Sequence, residues 1–296
     1  MQKVTTAAQM RNMDRIAMHG IYAIAPAVLM ENAGHAVAER AGAWLEGWDG
    51  KDVRLFGEKD NTGGAGFFIP RHILAAGARA YVYVLGEEAD YSDEARQHLH
   101  TLQQLADDET CLLLPAPQSE ADWQVLQEPR LASSVVIDAM LGTGFHGSLR
   151  QPITSIVAEV NAAAAAGAVT VIAVDMPTGV NSDTGAVSNG DDDEDGPLFA
   201  DMTVTFGALK RGLVLYPGRA CAGHVEVDPI GMPGPLLMQL EEDPAYLLQE
   251  SDIAEIVVPR SPDSHKGTHG TIAIVTGSSQ MAGAALMAAH GAVRSG

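Results

Sequence analysis

From residue 53 to residue 174 the chain repeats one pattern: a short apolar run, a loop, and a segment with helical spacing. The stretch "VRLFGEKDNTGGAGFFIPRHILAAGARAYVYVLG" reads as a strand, a glycine-rich loop, a helix over 64–77 and a second strand. Further apolar runs follow in "CLLLPAP", "SSVVIDAML", "AVTVIAVDMPTG", "ADMTVTFGA" and "GHVEVDPIG", with helical segments over 91–105 and 150–166. Strands that are apolar along their whole length are those covered on both faces. The pattern therefore predicts an α/β fold with a mainly parallel sheet between helical layers. Ahead of it, residues 5–45 read as helical, capped at Thr5 or Thr6 and restarting near Pro26. Met10, Met13, Ile16 and Ala17 fall at helical spacing, and Met30 reads as a core position.

In an open α/β sheet, ligands bind beyond the carboxyl ends of the strands. Three loops lie there. The first, "GEKDNTGGAG" (57–66), has Gly63, Gly64 and Gly66 to let the backbone approach a ligand, and the helix after it offers free N–H groups. It fits neither the dinucleotide fingerprint nor a Walker A loop. The second, "DAMLGTGFHGS" (138–148), opens on Asp138 at a strand end. The third, "VDMPTG" (174–179), opens on Asp175 and carries Thr178. A carboxylate at a buried strand end is costly unless it is paired, bound to a cation or used in chemistry. Asp138, Asp175, Asn61 and Thr178 offer oxygen ligands, which suit a hard cation. Alternatively, both aspartates cap the turns that follow them.

Composition narrows the partners. The net charge of -20 and pI near 4.7 argue against nucleic acid, whose binding needs clustered Lys and Arg. A 46% hydrophobic, 19% charged chain has ample apolar material for a core. Cys111 and Cys221 form neither a disulfide framework nor a zinc-ribbon spacing. The longest apolar run, Ala162 to Val174, is too short to span a bilayer, and no secretory leader is visible, so the chain reads as soluble and cytoplasmic. "NGDDDEDGP" (189–197) reads as a solvated loop, and no serine-hydrolase elbow is present.

Taken together, "TTAAQMRNMDRIA", "LMENAGHAVAE", "FFIPRHILAAGA", "IDAMLGTGFHG", "VIAVDMPTGVNSDTG" and "ADMTVTFGALKRGLVLYPGRACAGHVEV" resemble the NAD(P)H-hydrate epimerase family, in the family's order, over roughly residues 5–232. The resemblance implies a Rossmann-like three-layer α/β/α domain over residues 1–240, a homodimer, and an isomerase that interconverts the R and S hydrates of NADH and NADPH (NADHX and NADPHX). It implies a potassium ion held by Asn61, Asp138 and Thr178. It places the substrate against Asp60, Asn61, Gly63 and Gly64, against Gly142, Thr143, Gly144, Phe145, His146, Gly147 and Ser148, and against Asp175. The stereocentre is a hemiaminal carbon, so inversion must pass through a flat carbon, by ring opening to an aldehyde or by loss of water to an iminium. Either route needs proton transfer, and Asp175 is the expected general acid/base.

Two features depart from the pattern. The family loop reads G-x-G-N-N-G-G-D-G; here Thr62 is inserted and Ala65 stands where the family has an acid. A second expectation follows from that change, a non-catalytic nucleotide-binding or scaffold protein on the same fold. The tail, residues 251–296, resembles the first strand and helix of the ribokinase-like NAD(P)H-hydrate dehydratase, and no dehydratase activity is expected from so short a piece. If Gly296 is a natural end, the apolar strand at 271–275 is expected to be poorly protected or to self-associate.

Overall fold

The computed structural model describes residues 1–57, 66–86, 91–107, 109–115, 134–188, 196–238, 244–257, 261–265, 267–278 and 282–295. The first glycine loop from 58 to 65, with Asp60, Asn61, Thr62, Gly63, Gly64 and Ala65, lies outside them, as does the acidic run from 189 to 195.

The chain divides into two compact units, Met1–Leu247 and Leu248–Gly296. The first is built on a seven-stranded sheet in the order β4-β3-β2-β5-β6-β7-β9, parallel throughout. Its strands are β2 (Asp52–Gly57), β3 (Arg79–Val84), β4 (Cys111–Pro115), β5 (Val135–Ala139), β6 (Thr170–Val174), β7 (Met202–Phe206) and β9 (His224–Asp228). Alternation along the strands splits the core in two. Val53, Leu55, Val135 and Ile137 face a cluster with α1 (Ala7–His19), α2 (Pro26–Trp44), α3 (Ile69–Ala75) and α4 (Asp93–Leu105). Phe56, Val136 and Val171 face Ile156, Val157 and Val160 of α5 (Ile153–Ala165). This is the Rossmann-like three-layer arrangement that the apolar strands predict. The strand order reverses direction between β2 and β5, so the crevice where such sheets take ligands lies at the carboxyl ends of those two strands.

Local chemistry accounts for the entry to this unit. Thr6, not Thr5, caps α1: its hydroxyl accepts from Gln9 N–H at 3.2 Å, and Gln9 Oε1 accepts from Thr6 N–H at 2.9 Å. Thr5 belongs to β1 (Gln2–Thr5), a strand absent from the helical reading of this end. β1 pairs in parallel with β8 (Leu209–Lys210) and antiparallel with β10 (Ala245–Leu247). A four-residue strand beside a capping box carries too little alternation to announce itself. The helical segment breaks after His19 and restarts at Pro26, which fills the first turn where its missing N–H costs nothing.

The second unit contains α8 (Glu250–Ile256) and α9 (Ala282–Ser295), numbered after two one-turn helices, α6 (Gly218–Cys221) and α7 (Gly234–Leu237), in the first. The expected strand at 271–275 does not form: it has no pairing partner among the described residues, and a lone strand cannot satisfy its backbone groups. Ile272, Val275, Leu286 and Met287 are exposed.

Candidate active site

The loops after β5 and β6 are bound to each other. Asp138, the last residue but one of β5, is fully buried. Its Oδ1 accepts from the Thr178 hydroxyl at 2.7 Å and from Met140 N–H at 3.2 Å, and its Oδ2 from Thr178 N–H at 2.8 Å. The Thr178 hydroxyl in turn accepts from Leu141 N–H at 3.1 Å. No Lys, Arg or His among the described residues pairs with Asp138, and burial pushes its carboxyl up to about 6 against the pull of those donors. Gly66, where the first glycine loop rejoins the described chain, lies against this strand end. A Cβ there would sit 2.8 Å from that of Ala139. The glycine thus serves a close approach to β5.

Asp175 follows β6 with φ at 67°, a left-handed conformation that costs a side-chain-bearing residue about 1–3 kcal/mol and persists where the surroundings enforce it. They do so here. Oδ1 accepts from the Lys210 ammonium at 2.5 Å, the Thr205 hydroxyl at 3.0 Å and Phe206 N–H at 3.2 Å. Lys210 is 1% exposed and also donates to Phe206 O at 2.5 Å. Oδ2 has no hydrogen-bond partner among the described residues. One carboxylate oxygen is therefore anchored by three donors while the other remains available.

Asp175 and Lys210 lie in the wall of a cavity of about 940 Å³. Gly142, Thr143 and Gly144 line it too, as do Met10, Asp14 and Met30 from α1 and α2. Arg11 and Arg15 of α1 stand along the same wall, two cations in a chain of net charge -20, with His19 beside them. The rest of the second loop turns elsewhere. Phe145 packs against the core under α5, with its carbonyl accepting from Asn181 Nδ2 at 3.3 Å. His146 Nδ1 meets Asn181 Nδ2 at 2.8 Å, and Gly147 and Ser148 are exposed. None of these four lines the cavity. The structure thus brings together Gly142, Thr143, Gly144 and Asp175 at the cavity, and Asp138 and Thr178 just behind it.

Three site groups were not read from the sequence. Lys210 sits four residues past an apolar strand, in "TFGALK", where a lysine looks like the end of a buried run. Asp14 sits beside Met13 on the buried side of α1, and an acid there was the available clue. Met30, expected in the core, is a partly buried cavity residue.

Potassium or another hard cation would find oxygen donors at Asp138 and Thr178, on a buried carboxylate that lacks a cationic partner among the described side chains. The chemistry of this donor pair fits such an ion. Asn61, the third expected ligand, lies outside the described residues.

Known proteins share this fold. The crystal structure of yeast ynu0, YNL200c, superposes with a TM-score of 0.58 at 23% identity, covering 71% of this chain and 82% of that one. Its likeness establishes the fold. Two curated relatives, each named bifunctional NAD(P)H-hydrate repair enzyme Nnr, match 99% of this chain: one from Salinibacter ruber at 35% identity, and one from Moorella thermoacetica at 32%. This chain spans about half of their length, 53% and 52%. The family model described as YjeF-related protein N-terminus matches residues 26–212, a span that contains β2 to β8, both aspartate loops and Lys210. With sheet order, loops and relatives in agreement, the chain belongs to the YjeF-related protein N-terminus family.

Proposed function

We propose that the first unit is an NAD(P)H-hydrate epimerase, an isomerase that interconverts the R and S hydrates of NADH and NADPH. The named relatives support a role in repair of hydrated nicotinamide cofactors. The observation that carries the enzymatic reading is Asp175: strained, anchored through one oxygen by Lys210, and open through the other in the wall of a large cavity. A scaffold that only binds nucleotide has no need of such a carboxylate, so this site speaks for catalysis despite Thr62 and Ala65.

Asp175 Oδ2 takes the proton of the substrate hydroxyl as the hemiaminal opens and returns it when the ring closes on the other face. Lys210 fixes the carboxylate so that its orientation is set before substrate arrives. The backbone at Gly142 and Gly144 lets the substrate lie close to the loop, and Arg11 and Arg15 supply cationic partners for the phosphates, with His19 beside them. Met10 and Met30 cover apolar surface and exclude water from the ring. Asp138 and Thr178, with Asn61, would hold potassium, whose charge steadies the two loops that frame the substrate. The reading includes a homodimer in the cytoplasm. Among the described residues no helix is long and apolar enough to cross a membrane.

A coupled assay tests the proposal. The R hydrate of NADH is supplied with an excess of an S-specific dehydratase and its nucleotide, and NADH recovery is followed with and without this protein. Acceleration over the spontaneous rate, weakened when sodium replaces potassium, is the expected result. No acceleration would reject the epimerase reading.

A further inference from the structure

We propose that Asp14 is a second proton-transferring residue of this site, acting at the ring nitrogen while Asp175 acts at the hydroxyl. The inference rests on the epimerase reading above and adds to it a division of labour between two carboxyls.

The geometry is as follows. Asp14 lies on α1, between the buried positions Met10, Met13 and Ala17, and lines the same cavity as Asp175 and Lys210. It is partly buried and has no hydrogen-bond partner among the described residues. An acid placed on the packed side of a helix, without a partner, is retained at a cost that a surface position would avoid. The charged groups around it are Lys210 and Asp175 across the cavity, Arg11 and Arg15 on its own helix, and Glu94 from α4; His19 and Tyr91 line the same cavity. Burial pushes its carboxyl up to about 6; Lys210 pulls it down and Asp175 pushes it up. Asp175, in contrast, is tied to an ammonium through Oδ1. Two carboxyls in one cavity, one ion-paired to a buried lysine and one with no hydrogen-bond partner among the described residues, have the unlike surroundings that a paired acid and base require.

Opening a hemiaminal needs both at once. Asp175 takes the hydroxyl proton, the carbon–oxygen bond becomes a carbonyl, and the carbon–nitrogen bond breaks with its electron pair passing to nitrogen. Asp14 gives that nitrogen a proton. Rotation about the adjacent carbon–carbon bond then presents the other face of the aldehyde. Ionised Asp14 takes the N–H proton back, nitrogen adds to the carbonyl, and Asp175 returns a proton to oxygen. Both carboxyls finish as they began, with no net proton or electron consumed. Lys210 is assigned the anchoring role, since it is 1% exposed and spends two of its three N–H donors on Asp175 Oδ1 and Phe206 O.

The test is the pH dependence of kcat/KM for the R hydrate of NADH between about pH 5 and 8.5, with conversion to the S form followed directly by chromatography. In the natural protein, kcat/KM falls as pH rises past about 6, because Asp14 must carry its proton. Asp14→Asn lowers kcat by about 10²–10⁴-fold, leaves KM within about threefold, and abolishes that fall. Asp14→Glu keeps the fall with pH at a reduced rate, and decides the matter if the Asn variant does not fold. An Asp14→Asn protein with natural kcat, or one with raised KM and an unchanged pH profile, overturns the role of Asp14 alone. A natural protein that does not interconvert the hydrates overturns the epimerase reading, and this inference with it.

Discussion

Asp138 is the last residue but one of β5 and Asp175 follows β6, one strand over, and each is less than a tenth exposed. Their surroundings differ in kind. Asp138 is held by neutral donors on both oxygens: a hydroxyl and two backbone N–H groups. Asp175 has an ammonium, a hydroxyl and an N–H group on one oxygen only. The backbone differs too, since Asp175 alone of the two has positive φ. A buried carboxylate fully satisfied by neutral donors is a structural clamp, with charge to spare for a cation. One anchored at a single oxygen by a buried lysine is set up to use the other. The same residue type near the ends of adjacent strands is thus held in two different ways, by neutral donors on both oxygens in one loop and by an ammonium on one oxygen in the next.

The sharpest way to break this contrast is Asp175→Asn. On the epimerase reading the rate of R-to-S conversion falls by about 10²–10⁴-fold. The fold weakens as well, by about 3–5 kcal/mol in urea unfolding, because Lys210 is left buried without its counter-ion. A variant that keeps its rate would make Asp175 a structural residue like Asp138. Next comes Lys210→Met. It removes one of three donors to Asp175 Oδ1, and a hydrogen bond to a charged group contributes about 1.5–3 kcal/mol. The rate is expected to fall about ten- to a hundredfold with KM little changed. A natural rate would show that the other two donors orient the carboxylate unaided.

These contrasts also bear on what could be read beforehand. The parallel sheet was legible because β2, β3, β5 and β6 are apolar on both faces, and that demand overrides local detail. The two strand-end aspartates were legible for the converse reason, since charge at the end of such a strand contradicts its surroundings. β1 was not, because four residues do not establish a period and its partners β8 and β10 come more than 200 residues later. Phe145 and His146 were assigned by likeness to a loop whose course depends on Asn181, and no local pattern encodes that contact. Lys210 and Asp14 escaped because only the tertiary fold brings each of them to the cavity with Asp175. The expected strand at 271–275 had the right composition and no neighbour to pair with among the described residues.

On the Asp138 side the expected effects are smaller. Thr178→Val keeps the shape of the side chain and removes its hydroxyl, so Leu141 N–H loses its acceptor and Asp138 Oδ1 a donor. About 1–3 kcal/mol of stability should be lost in sodium buffer. The potassium concentration for half-maximal rate should rise as well, because one oxygen donor is gone. An unchanged potassium response would take Thr178 out of the cation site.

Asp138→Asn should cost the fold least and is the most telling about charge. The amide keeps one oxygen for a Thr178 donor, turns an NH2 group toward the other donor position, and removes a buried negative charge that no cationic side chain of the described residues offsets. Loss of a hydrogen bond to a charged acceptor and relief of desolvation oppose each other, so stability in potassium-free buffer should stay within about 1 kcal/mol of the natural protein. Potassium should then raise the melting temperature of the natural chain and leave that of the variant unmoved, since an ion stabilises only the form that binds it. If the variant instead loses several kcal/mol in sodium, Asp138 is held by a compensation of the kind Lys210 gives Asp175. The contrast between the two loops would then lie in which oxygen faces the cavity, and no longer in how each charge is balanced.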